Sequence, residues 1–180
     1  MNSLNDGGAG VTTVIGFAGF SNSGKTTLIA ALVNHFAQRG LRTAVIKHDA
    51  HGHYKEAAGT DSALYREAGA SATAVLSPES SVLYYRGSGT LEQMIGLFAA
   101  GRSFELILIE GFKSGTHDKI ALFRNEEQAD IMKLLPEAPA ACAAPSDMRK
   151  LAPAAIPFLD LNDIGAVAAW IEERMNNNCV

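Results

Sequence analysis

Apolar positions first gather in a short run at 13–18, TVIGFA, which predicts a strand. From Lys25 to Arg39 they recur at helical spacing, with Leu28, Ile29, Leu32, Val33 and Phe36 on one stripe, and Gly40 stands where a helix-ending glycine belongs. RTAVIK at 42–47 predicts a second strand, so the first 47 residues read as a βαβ unit, and hence a parallel pair. AHGHYKEAAG at 50–59 is polar and aperiodic and reads as a loop, and TDSALYREAG at 60–69 reads as a short helix. ATAVLS (72–77) and SVLYYR (81–86) flank a Pro-Glu-Ser turn and predict a hairpin. Thr90 and Gln93 have capping-box spacing and open a helix carrying Leu91, Met94, Ile95 and Phe98, ended at Gly101. ELILIEG (105–111), KIALFR (119–124) and a segment near 139–144 predict three further strands. Asn162 is placed to cap a last helix with Val167, Ala168, Ile171 and Met175 on one face. The pattern predicts an α/β fold: a flexible tail at 1–12, then one domain at 13–176, with a mostly parallel central sheet flanked by helices and a β-hairpin insertion.

A chain of 180 residues fits one domain with a real core. The net charge of -4, from 15 basic and 19 acidic residues, argues against a surface that coats nucleic acid. Cys142 and Cys179 make neither a disulfide framework nor a zinc spacing and read as free thiols in a reducing compartment. The start, MNSLNDGGAG, lacks the basic and apolar regions of a secretory signal, and no apolar stretch is long enough to span a bilayer. A cytoplasmic location is expected.

The candidate chemistry begins between the first strand and the first helix. GFSNSGKT, residues 19–26, satisfies the phosphate-loop pattern G-x-x-x-x-G-K-[ST], and a strand enters it while a helix leaves it. Gly19 and Gly24 let the backbone turn tightly, so that amide groups point at phosphate oxygens, and the helix N-terminus adds positive potential. Lys25 is expected to reach the β and γ phosphates, and the Thr26 hydroxyl to ligate Mg²⁺. Ser21, Asn22 and Ser23 are candidate nucleotide contacts or plain small loop residues, and Thr27 reads as a packing or capping residue rather than a metal ligand. The fold expected from this loop is that of the P-loop NTPases.

A phosphate loop of this kind needs an acid near Mg²⁺, and LILIEG supplies Glu110 after four apolar residues, at the carboxyl end of a buried strand. IKHDAHGH (46–53) follows the second strand and so reaches the same edge. It admits three readings: a phosphate or substrate contact by Lys47 or His48, a metal site from His48, His51 and His53, or a solvated loop. Asp61 reads as a member of the Mg²⁺ shell or as a helix cap. Asp147 in APSDM follows a late strand and reads either as an acceptor for the donor edge of guanine or as a turn aspartate.

GFSNSGKTTL, KHDAHGH, GTDSALYREAGA, LILIEGFK and KIALFR together closely resemble the molybdopterin-guanine dinucleotide biosynthesis protein B family, MobB, from about residue 13 through the final helix. The combination of EGFK with KH after the second strand and G-x-D-S is much narrower than a phosphate loop alone. The resemblance implies a homodimeric P-loop protein, of the class that includes metallochaperone GTPases, that binds GTP and Mg²⁺ and hydrolyses GTP weakly. It further implies a partner, the guanylyltransferase MobA, which joins GMP to molybdopterin. Carried over by residue, the nucleotide loop is Gly19 to Thr26, the Mg²⁺-side acid is Glu110, and Lys47, His48, Asp61 and Lys113 match positions near the cofactor or nucleotide. Two alternatives share the phosphate loop: a GTP-dependent metallochaperone, which the His cluster would serve, and a small-molecule kinase. A kinase needs an arginine-bearing lid, and Arg66, Arg86 and Arg124 are scattered along the chain.

Overall fold

The computed structural model describes residues 12–49, 59–87, 89–100 and 104–177. Residues 1–11 of the expected tail, the loop residues 50–58 with His51 and His53, Gly101 and Cys179 lie outside them. The chain divides into two compact units, one made of 1–48 with 91–180 and the other of 49–90.

In the first unit, strands β1 (Thr13–Ala18), β2 (Thr43–Lys47), β5 (Leu106–Glu110), β6 (Lys119–Leu122), β7 (Ala141–Ala144) and β8 (Phe158–Asp160) form one sheet in the order β2-β5-β1-β6-β7-β8. Every pairing in it is parallel. The helices are α1 (Lys25–Gln38), α3 (Leu91–Ala100), the single turn α4 (Glu126–Ala129) and α5 (Ile164–Asn177). Parallel strands need crossovers, and crossovers lay helices on the sheet faces, so the central strands are apolar on both sides. β5 divides by the two-residue strand period. Leu106 and Leu108 join Ile15, Phe17, Leu32 and Phe36 of one core cluster, together with Val167 and Ile171 from α5. Ile107 and Ile109 face the other way, with Ala44, Ile46 and the α3 residues Met94, Ile95 and Phe98. A third cluster unites Ala18, Ala121, Phe123, Ile131, Cys142 and Ala144. Burial pushes the Cys142 thiol up to about 11, so it packs as a small apolar group.

The second unit holds α2 (Asp61–Glu67) and the antiparallel hairpin of β3 (Ala72–Leu76) and β4 (Ser81–Tyr85), in which Val75 pairs with Val82 and Ala72 with Tyr85. The Ser77 hydroxyl donates to the Ser80 carbonyl at 2.9 Å across the turn, and the Arg66 guanidinium lies over the Tyr84 ring.

Three local expectations change. Asp163, not Asn162, caps the last helix, its Oδ1 accepting from the Ala166 amide at 2.9 Å. Thr60 caps α2, its hydroxyl accepting from the Ala63 amide at 3.2 Å, so Asp61 is a first-turn acid rather than the cap. β8 and the 3-10 turns at 130–134 and 146–151 have no counterpart in the sequence reading. β8 is a three-residue strand whose central Leu159 alone is buried, so it carries little periodic signal.

Candidate functional site

β1 lies between β5 and β6, and all three run in one direction, so their carboxyl ends share an edge of the sheet. Phe17 of β1 and Lys47 of β2 both register with Glu110 of β5. The last residue of β5 therefore stands two positions before the loop that leaves β1.

That loop closes on itself. A Cβ added at Gly19 would fall 2.4 Å from Ser23 Oγ and 2.8 Å from the Leu122 carbonyl oxygen, so the position tolerates no side chain. Gly24 has φ +95° and precedes the first residue of α1. Ser23 is fully buried, while Ser21 and Asn22 are exposed at the tip. Lys25 turns back over the loop: its Nζ donates to the carbonyls of Gly19 at 3.1 Å and Phe20 at 2.7 Å, and to Ser23 Oγ at 3.4 Å. Burial holds its pKa below the ordinary lysine value. The Glu110 carboxylate opposes that shift, and the charges of Lys113 and Lys47 add to it.

In the first turn of α1, Thr26 Oγ1 donates to Glu110 Oε1 at 2.8 Å. The other oxygen, Oε2, pairs with Lys47 Nζ at 3.6 Å. A hydroxyl and a carboxylate in contact beside a helix N-terminus offer hard oxygen donors, the type that Mg²⁺ takes along with phosphate. Ser21, Asn22, Gly24, Lys25, Thr26, Thr27, Lys47, Glu110 and Arg124 line an open cavity of about 470 Å³ over this edge. Thr27 is exposed and lines the cavity.

The neighbouring side chains are held as supports. Gly111 has φ +97°, and a Cβ there would sit 2.9 Å from His48 Cβ. The His48 ring instead stacks on Phe112, with centroids 4.5 Å apart and planes at 30°. Its amide donates to the Glu110 carbonyl at 2.9 Å. Lys113 places Nζ 4.9 Å from the centroid of the Phe20 ring. The expected group of Lys47, His48, Glu110 and Lys113 is thus assembled at one edge, with Lys47 and Glu110 on the cavity and His48 and Lys113 packed on aromatic rings. Asp147 is exposed in the first turn of the 3-10 segment after β7. Asp61 belongs to the second unit, as the first residue of α2. Among the described residues, no group of three His, Cys, Asp or Glu is arranged to hold a metal ion.

Arg124 was not singled out by its sequence context. Its Nε donates to the Ser23 carbonyl at 3.3 Å, and its guanidinium lies against the Gly24 Cα, where an added Cβ would come within 2.7 Å of Nη2. The fold thus brings one of the three arginines scattered along the chain against the loop. The available signal was its position directly after a strand whose carboxyl end reaches the loop.

The family model described as molybdopterin guanine dinucleotide synthesis protein B, MobB, matches residues 14–144. The chain belongs to the MobB family. It is 33% identical to the molybdopterin-guanine dinucleotide biosynthesis adapter protein of Escherichia coli, over 93% of this chain and 97% of that one. It is 30% identical to the adapter protein of the same description from Haemophilus influenzae, over 91% and 90%. Its fold superposes on the crystal structure of Bacillus subtilis MobB with a TM-score of 0.76 at 26% identity, covering 89% of this chain and 97% of that one. The MobB match spans the whole of the edge just described, from the loop through Glu110 and Arg124 to the end of β7.

Proposed function

We propose that this MobB-family chain is a GTP-binding adapter that assists a guanylyltransferase, MobA, in converting molybdopterin cofactor to its guanine dinucleotide form. The observation that carries the reading is the Thr26–Glu110 contact beside Lys25, set in a chain whose relatives are named as adapters of that biosynthesis. That family membership favours the adapter over a metallochaperone or a kinase.

Each residue has a part. The loop amides and Lys25 take the phosphates, and the lysine exchanges its carbonyl partners for phosphate oxygens. Thr26 and Glu110 hold Mg²⁺, which when bound neutralises charge on the terminal phosphates. Lys47 steadies the free oxygen of Glu110. Asp147 accepts from the donor edge of guanine, a pattern that adenine lacks. GTP turnover is weak and serves the adapter cycle. A homodimer is the proposed working form. Val75, Leu76, Val82, Leu83 and Tyr85 on the hairpin are exposed, which supports it as the self-association surface. A cytoplasmic site of action accords with the absence, among the described residues, of any helix long and apolar enough to cross a membrane.

The test is reconstitution. Purified guanylyltransferase is supplied with molybdopterin cofactor, GTP and Mg²⁺, with and without this chain. A higher yield of the guanine dinucleotide with the chain, lost with Lys25→Ala, is expected. An unchanged yield counts against the adapter role.

A further inference from the structure

We propose that Arg124 is a nucleotide-binding residue on the nucleoside side of the phosphate loop, its guanidinium taking the α-phosphate of the bound nucleotide. The inference rests on the reading of 19–26 as a nucleotide loop and adds a residue to it.

The strand order carries the argument. At the carboxyl edge, β5, β1, β6 and β7 stand side by side. Glu110 ends β5 and meets Thr26, so the Mg²⁺ side, and with it the terminal phosphates, lies on the β5 flank of the loop. A phosphate chain that lies along the loop therefore points its nucleoside end to the opposite flank, which is β6. Arg124 emerges there, two residues past Leu122.

The chemistry of the side chain agrees with the position. Nε is occupied by the Ser23 carbonyl, which fixes the plane of the guanidinium over Gly24. Among the described residues no carboxylate pairs with it, although the cavity it lines also holds Glu110, on the far flank. Both Nη groups keep donors for a ligand, and a guanidinium binds phosphate oxygens through two parallel N–H groups. The arginine itself is held at its base: its own amide donates to Gln128 Oε1 at 3.0 Å, and the adjoining Asn125 caps α4 by accepting from the Gln128 amide at 2.8 Å. Gly24 without a side chain is what allows the guanidinium to approach the loop so closely.

The test compares GTP and GDP binding by calorimetry at fixed ionic strength for wild type, Arg124→Ala and Arg124→Gln. The glutamine keeps a donor for the Ser23 carbonyl and removes the charge and the fork. Loss of both nucleotides by about 10–100-fold in both variants is expected, because a charge-assisted contact is lost. The ratio of GTP to GDP affinity should stay within about threefold of wild type, since both carry the α-phosphate. Wild-type affinity in Arg124→Gln means that the arginine only braces the loop and overturns the assignment. A loss confined to GTP places Arg124 at the terminal phosphate and also overturns it, as does unchanged binding by Arg124→Ala. Failure of the wild type to bind either nucleotide overturns the loop reading first, and this assignment with it. Arg124 is exposed, so thermal unfolding of both variants should match wild type.

Discussion

Thr26 Oγ1 donates to Glu110 Oε1 at 2.8 Å, joining residues that are 84 apart in sequence. The bond links the first turn of the helix after the phosphate loop to the end of the strand beside it, and it places the hydroxyl and the carboxylate where a single cation can take an oxygen from each. Glu110→Gln keeps the shape and removes the charge. Mg²⁺-dependent GTP turnover should fall about 10–100-fold, as for loss of a group that orders a metal site. GTP binding in metal-free buffer should change far less. Equal loss of both, measured by steady-state hydrolysis and by titration in chelator, argues against a metal role.

Lys25 carries a pH signature as well. Burial lowers its pKa in the protein, with Lys113 and Lys47 contributing and Glu110 opposing. A triphosphate brings negative charge and favours the ammonium, so binding raises that pKa. Between the lowered value and the raised one the complex holds more protons than the free protein, and affinity falls as pH rises through that range. Titrations in two alkaline buffers of different ionisation enthalpy should report net proton uptake, and Lys25→Ala should abolish it. Proton release on binding contradicts the electrostatic picture.

His117 gives a separate handle on stability. Its ring fills the space above Gly16, where an added Cβ would fall 2.3 Å from Nε2, and it abuts Gly115. Burial, helped by Lys119 and opposed by Asp118 and Glu92, holds its pKa down to about 4 from the ordinary 6.5. The folded protein therefore refuses a proton that the unfolded chain accepts. Stability is full above pH 6.5 and falls as pH drops towards 4. With the ring partly open to solvent the loss is about 1–2 kcal/mol. Denaturant melts across this window should show the slope in wild type and a flatter profile in His117→Gln. Gly16→Ala should cost about 1–3 kcal/mol through displacement of the ring.

Asp147 is the proposed base reader. Asp147→Asn replaces one acceptor oxygen with a donor that faces the donors of guanine. Preference for GTP over ATP should drop by about tenfold or more, a loss on the scale of one hydrogen bond to a charged group. Competition binding measures the ratio directly, and an unchanged ratio removes Asp147 from the base site.

What could be read from the sequence was set by distance along the chain. Lys25 and Thr26 were legible because a phosphate loop is a contiguous pattern with a strand before it and a helix after it. Glu110 was legible because LILI is apolar without alternation, which a strand covered on both faces requires. Arg124 was not, because its meaning depends on β6 lying on the side of β1 away from β5, a choice of neighbour made by two crossovers and not by any local run. The stacking of His48 on Phe112 depends likewise on β2 pairing with β5 across more than 50 residues. The cap of α5 was misplaced by one residue, since Asn162 and Asp163 are equally good caps by type and only backbone geometry selects Asp163.

The most direct test of the account is calorimetric titration of GTP into the full chain with Mg²⁺ present, run in parallel on Lys25→Ala. Saturable binding at one site per chain, strengthened by Mg²⁺ and lost in the variant while its thermal unfolding stays cooperative, is the expected result. Binding of equal strength in wild type and Lys25→Ala, or no saturable binding by the wild type, contradicts the assignment of 19–26 as the nucleotide site.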